Sequence, residues 1–182
     1  MVGLILTGLF IIVASAAQET EKCLSLLKPE TMILECCHGF ELMDPDNDEC
    51  TKSSETAASS SEDSWNCDFD ECIMNKLSLL HANGSFNEVA ATALVKKIAE
   101  KDPNNKLASE RVINKCLSKK FMKYAPRHVC EASKFYICGY LQITLECPKW
   151  SDKEECQSIK ELTSSCKDFM DNAFDQLSLG DE

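Results

Sequence analysis

Cys23, Cys36, Cys37, Cys50, Cys67, Cys72, Cys116, Cys130, Cys138, Cys147, Cys156 and Cys166 are the residues with which this chain could do the most chemistry. A thiolate can hold a metal, attack an electrophile or pair with a second sulfur, and spacing and compartment decide among these. Structural zinc sites use closely spaced CxxC pairs with histidine in support. The chain has no CxxC, and only His38, His81 and His128 could add imidazole ligands, so no metal is expected. An even cysteine count behind a secretory leader reads as six disulfides. Each would stabilise the fold by a few kcal/mol, ~2–4, by constraining the unfolded chain.

Other constellations are thinner. Nucleophilic catalysis needs a nucleophile, an adjacent base and a group that orients the base. Cys36-Cys37-His38 resembles the vicinal cysteines and nearby histidine of secreted phospholipase A2. That family has aspartate directly after its histidine and a glycine-rich calcium loop upstream. Here Gly39 follows His38, and no glycine lies between Gly8 and Gly39. His38 and His128 therefore read as ordinary polar positions, and no enzyme activity is expected. Asp44, Asp46, Asp48 and Glu49 alternate as calcium ligands would, yet the glycine and closing glutamate of an EF-hand loop are missing at the required offsets. No glycine loop could cradle a phosphate, and no cofactor is expected. Asn83-Gly84-Ser85 is an N-glycosylation sequon, which requires an exposed turn in a secreted chain.

Residues 1–17, MVGLILTGLFIIVASAA, form an uncharged run that ends in small residues and turns polar at Gln18. They read as a signal peptide, too short to span a bilayer, with cleavage after Ala16 or Ala17. Residues 18–182 are then expected to form a single secreted, extracellular domain. Against 19 basic residues stand 30 acidic ones, a formal charge of −11. That balance argues against nucleic acid and anionic membrane as partners, and no stretch after the leader is suited to stable membrane insertion.

The elements that must place these cysteines are helical. Pro29 and Glu30 open a short helix that Gly39 stops. Residues 41–64, rich in Asp, Ser and Thr, have no hydrophobic period and read as a loop pinned at Cys50. Cys67 to His81 carries a helical period through Cys72, Ile73, Leu77 and Leu80, ended by Asn83 and Gly84. Ser85 to Glu88 is a capping box opening a helix with Phe86, Val89, Ala90, Ala93, Leu94 and Ile98 inward. After Asp102-Pro103 a further helix covers about 107–120, with Leu107, Val112, Ile113, Cys116 and Leu117 inward. Ser151 to Glu154 is a second capping box, starting a helix with Cys156, Ile159, Leu162 and Cys166 inside.

Between these last two helices, Val129 to Pro148 carries three cysteines and, past Lys134, no charge before Glu146. A helix apolar nearly all round is buried. The stretch is read as a stapled central helix, with a buried strand over Phe135 to Leu145 as the competing assignment. The fold class expected is therefore all-α, a compact disulfide-stapled bundle of six to eight short helices around this central one. A rigid helical shell suits enclosure of a small apolar ligand against aliphatic, aromatic and Met side chains. Met74, Leu94, Ile98, Phe121, Met122, Tyr124, Phe135, Tyr136, Tyr140 and Leu141 could form that wall, the plainer reading of each being that it fills a solid core.

The cysteine spacing resembles that of insect odorant-binding proteins. Cys67-x4-Cys72, forty-three residues before Cys116, and Cys138-x8-Cys147-Pro148 carry the likeness. Vicinal Cys36-Cys37, the added Cys130, the proline after Cys147 and C-terminal Cys156 and Cys166 are similar to the twelve-cysteine Plus-C subclass. The gap after Cys67 is four residues where the family has three. The resemblance implies an odorant-binding-protein-like fold with Cys37–Cys72, Cys67–Cys138 and Cys116–Cys147 as core pairs, Cys36 being an alternative to Cys37. It makes Cys138 and Cys147 shared staples and Cys130 an addition. It implies reversible, non-catalytic binding of a small apolar semiochemical in sensillum lymph or another body fluid. An olfactory receptor, another binding protein or a second copy in a homodimer would be the macromolecular partners. The alternative expectation is a stapled interaction protein with a filled core, binding another protein through the acidic loop from Asp44 to Ser64.

Overall fold

The computed structural model describes residues 20–27, 33–40, 50 and 67–177. The leader, the calcium-like cluster and most of the 41–64 loop lie outside those residues. In chain order, a helical turn over 20–24 runs into a 3-10 turn, Ser25–Leu27, followed by α1 (Ile33–Cys36) and β1 (Cys37–His38). Then come α2 (Cys67–Lys76), α3 (Glu88–Lys101), a 3-10 turn at Pro103–Asn105 and α4 (Lys106–Cys116). A 3-10 turn at Lys120–Tyr124, α5 (Glu131–Leu145), β2 (Lys149–Trp150) and α6 (Glu154–Leu177) complete the order. The fold is all-α apart from the two-stranded pair β1–β2.

Contacts divide the chain into two compact units, Cys37–Ser151 and a smaller one made of Met1–Cys36 with Asp152–Glu182. In the smaller unit α1 packs on α6. Cys23–Cys166 and Cys36–Cys156 tie the two arms together, and Leu26, Thr163 and Met170 are buried with those sulfurs. In the larger unit α5 is the central element, with α2, α4 and the 3-10 turn at Lys120–Tyr124 against it and α3 behind α4. Eleven of the fifteen residues of α5 are buried, so Phe135 to Leu145 is a helix and not the alternative strand. Cys130 stands at its N-cap and Glu146 at its C-cap. Pro148 follows two residues later, where a missing amide no longer matters.

Three boundaries differ from expectation for local reasons. The helix begun at Cys67 stops at Lys76, five residues before His81. Ser78 takes the left-handed conformation (φ 58°) and the Leu79 amide donates back to the Met74 carbonyl, which closes the helix end. The next helix is capped by Asn87, whose Oδ1 accepts from the Ala90 amide, and not by Ser85. Its buried face is formed by Ala91, Val95 and Ile98. Val89, expected inward, is 82% exposed, and Ala93 is exposed too. Glu88, freed from a box, accepts instead from the amides of Ser118 and Lys119. Those two residues, both at φ 59°, end α4 at Cys116 and not at Lys120. Leu107, in the first turn of α4, is 62% exposed instead of buried.

All twelve cysteines are paired, but the three core pairs implied by resemblance are not the ones formed. The larger unit contains Cys37–Cys147, Cys50–Cys72, Cys67–Cys130 and Cys116–Cys138. Cys37 cannot reach Cys72 because β1 pairs with β2, Cys37 opposite Trp150, which holds it beside Cys147. Cys36 is no substitute for it, being bound to Cys156. Cys138 faces α4, its Sγ 3.7 Å from the Lys115 carbonyl, and so meets Cys116. Cys130, at the N-cap of the helix, meets Cys67 at the start of α2.

The implied order survives on a displaced set. In the resemblance, the first of six cysteines pairs with the third, the second with the fifth and the fourth with the sixth. Cys50, Cys67, Cys72, Cys116, Cys130 and Cys138 pair in that same interlocked order. Cys130 and Cys138 take the fifth and sixth places in that order, and Cys147 falls outside the set. The other three bridges, Cys37–Cys147, Cys36–Cys156 and Cys23–Cys166, are nested in sequence one inside the next.

Candidate functional site

The larger unit concentrates its unusual side chains along α5. Successive turns carry Ser133, Tyr136, Tyr140 and Thr144, and the helix period brings them onto one face. Opposite Ser133 stands Asp70 of α2, buried, with its carboxylate accepting from the Ser133 hydroxyl. The same hydroxyl lies 3.1 Å from Cys130 Sγ and 3.7 Å from Cys67 Sγ, so the Cys67–Cys130 bridge and the Asp70–Ser133 contact form one junction between α2 and α5.

Burial raises the Asp70 pKa to about 6, with neighbouring Glu71 adding to the rise and the Ser133 bond opposing it. Burial, helped by the Asp70 charge, pushes the Tyr136 phenol up to about 12. Tyr140 is raised as well, by burial first and by Tyr136 second, against a bond from Thr144. Both phenols are therefore neutral hydroxyls that can meet a ligand's polar end without carrying charge.

A raised carboxyl pKa means that the native state holds a proton which the unfolded chain has lost. Asp70 therefore lowers stability progressively as pH rises from about 4 to about 6. Asp70→Asn keeps an acceptor for Ser133 without the charge. The expected result is a gain of about 2 kcal/mol at pH 7 that disappears below about pH 4. Chemical denaturation at a series of pH values checks it, and parallel curves for the two proteins would refute it.

The opposite side of α5 carries Lys134 and Gln142, both about 2% exposed. Lys134 Nζ donates to the Arg127 carbonyl at 3.2 Å. Gln142 bridges two elements, accepting from Arg111 Nε at 3.1 Å and donating to the Tyr124 hydroxyl at 3.2 Å. Arg111 also lies 3.9 Å from the Glu146 carboxylate. These bonds satisfy buried polar groups that would otherwise cost free energy, and they fix the register of α4 and the Tyr124 turn on α5.

Between the polar sides lies an aromatic cluster. Phe86 and Phe135 stack at 4.2 Å between centroids, while Phe121 meets Phe86 edge-on at 5.1 Å and Phe135 at 6.0 Å. Of the ten proposed wall residues, Met74, Ile98, Phe121, Tyr124, Phe135 and Leu141 are buried. Leu94, Tyr136 and Tyr140 are half-buried, and Met122 faces outward at 38% exposure. Phe121 and Phe135 are brought together, with Phe86 as a third member that sequence reasoning placed in the core but not in the wall. An open groove of about 550 Å³ lies in the smaller unit, lined by Lys22, Ser158, Ile159, Glu161, Leu162 and Ser165, and it contains none of the ten. His38, His81 and His128 are all exposed.

No protein-family model, curated protein or solved structure matches this chain.

Sequence reasoning misses Asp70 and Lys134, although the position of each carries a signal. Asp70 shares the inward stripe of α2 with Ile73 and Met74 at helical spacing. Lys134 stands one turn from Cys130 and one from Cys138, on the stripe that two bridges pull inward.

Proposed function

We propose that this chain is a secreted carrier that binds small hydrophobic ligands reversibly and without catalysis, in the manner of Plus-C odorant-binding proteins. The observation that carries the reading is the interlocked set Cys50–Cys72, Cys67–Cys130 and Cys116–Cys138 around α5. It follows the pairing order that the resemblance implies for that family, in a mostly helical unit. The wall residues Tyr136 and Tyr140 are half-buried on α5, combining aromatic surface with a neutral hydroxyl, as suits a mostly apolar ligand with one polar end. Secretion is supported by six disulfides, which persist in oxidising compartments. Among the described residues no helix is long and apolar enough to cross a membrane.

The test is displacement of a bound fluorescent probe by volatile aromatics, alcohols and fatty acids, on protein with all six bridges formed. Displacement at micromolar ligand is expected. Tyr136→Ala and Tyr140→Ala should each weaken it about tenfold, equivalent to ~1.4 kcal/mol of lost ring contact. No binding of any apolar ligand by correctly bridged protein would refute the carrier.

A second reading is favoured by the mutual packing of Phe86, Phe121 and Phe135. A core closed on itself in this way would leave the shell to serve as an interaction protein, with the acidic segment from Asp44 to Ser64 meeting a protein partner.

A further inference from the structure

We infer that Asn83 carries an N-linked glycan. The sequence contains a single N-x-Ser/Thr tripeptide, Asn83-Gly84-Ser85. The structure places it at the apex of a short hairpin outside every packed layer. Leu80 and Phe86 form an antiparallel bridge at the base of that hairpin. Above it the His81 amide donates to the Ser85 carbonyl and the Gly84 amide to the His81 carbonyl.

The base is anchored from inside. Phe86 is buried in the aromatic cluster, and its amide donates to the Glu131 carboxylate at 3.1 Å. The Asn87 amide donates to the Leu79 carbonyl at 2.8 Å. With both legs held, His81 through Gly84 stand in solvent, all four exposed. Gly84 takes φ +80°, which glycine alone adopts freely, and nothing lies within 4 Å of where its Cβ would be. An oligosaccharide on Asn83 therefore displaces no packed group and leaves six disulfides and the core untouched.

The local hydrogen bonding also suits the chemistry. Asn83 Oδ1 accepts from the Ser85 hydroxyl at 2.7 Å and from the Ser85 amide at 3.1 Å. Both contacts engage the carbonyl oxygen of the carboxamide, and the amide nitrogen takes no part in them. In the transfer, Asn83 Nδ2 attacks the anomeric carbon of a lipid-linked oligosaccharide diphosphate. The carbon–nitrogen bond forms as the carbon–oxygen bond to the diphosphate breaks. The lipid diphosphate leaves with the electron pair, and the nitrogen gives up one proton to the transferase. Nothing is oxidised or reduced. The serine hydroxyl is needed at this spacing, and no other asparagine of the chain has one.

This inference rests on the chain entering the secretory lumen, and the experiment separates the two. The full chain is translated with endoplasmic-reticulum microsomes in two arms, one with its own residues 1–17 and one with a known cleavable leader in their place. Protease-protected product is then digested with an N-glycanase. One glycan's mobility shift, reversed by the enzyme, is expected. It should be lost in Asn83→Gln and Ser85→Ala and kept in Ser85→Thr. A shift only with the substituted leader upholds the glycan and removes the support for secretion. Protected product of either arm that shows no shift overturns the inference.

Discussion

Phe135→Ala is expected to cost about 3–5 kcal/mol, the largest loss from any single substitution considered for this protein. Phe135 is 1% exposed and stands in the N-terminal third of α5, where it packs on both Phe86 and Phe121. Truncation removes the apolar burial of a whole ring and leaves a cavity walled by two other rings, each held by its own element. Phe86 is fixed by the hairpin bridge at Leu80 and by Glu131. Phe121 is fixed by the 3-10 turn packed on α5. Neither wall can close far into the gap, so the cavity part of the cost is retained. The measurement is the denaturant midpoint with all disulfides intact, compared at unchanged slope. A loss below ~1 kcal/mol would show that the three rings do not form a packed unit. Phe86→Ala and the double variant extend the test, since residues in contact couple and their losses should not add.

Joint replacement of Cys67 and Cys130 by serine is expected to cost about 4 kcal/mol, the second large effect. The bridge spans 63 residues of sequence and is the covalent tie between α2 and α5. In the chain-entropy account a loop of that length is worth more than the 22-residue loops closed by Cys50–Cys72 and Cys116–Cys138. Its loss also loosens the Asp70–Ser133 junction, because Ser133 Oγ lies against both sulfurs. With α2 free to move away, the Asp70 carboxyl regains water. The fall in stability from pH 4 to pH 6 that Asp70 imposes should therefore flatten in this variant. Thermal or chemical unfolding at pH 4 and pH 7 checks both parts. A loss no greater than that from removing Cys50–Cys72 would contradict the topology described here.

The pairing also shows where comparison by spacing fails. Cys138-x8-Cys147 has the interval expected of the last two core cysteines, and Cys130-x7-Cys138 is one residue shorter. Spacing alone favours the first. The two-residue pair β1–β2 decides otherwise, by bringing Cys37 to Cys147 and leaving Cys138 to Cys116. Two residues of extended chain, invisible as a hydrophobic period, thus reassign three bridges.

By itself the sequence determined that the chain is helical, that its twelve cysteines pair, and that Val129 to Pro148 is the buried centre. These follow from local quantities: apolar residues all round a helix, an even cysteine count, and prolines and caps at element ends. The vicinal Cys36 and Cys37, neighbours in the chain, bind different partners, Cys156 and Cys147. Only the tertiary structure decided which cysteines meet, because pairing depends on which helix faces meet across long loops and not on intervals along the chain. It likewise decided the exact helix starts. Asn87 and not Ser85 caps α3, and packing turns the Ala91–Val95–Ile98 face inward, which leaves Val89 in solvent. Finally, it decided that Asp70 and Lys134 are buried, where their partners, Ser133 and the Arg127 carbonyl, are supplied by the packed elements.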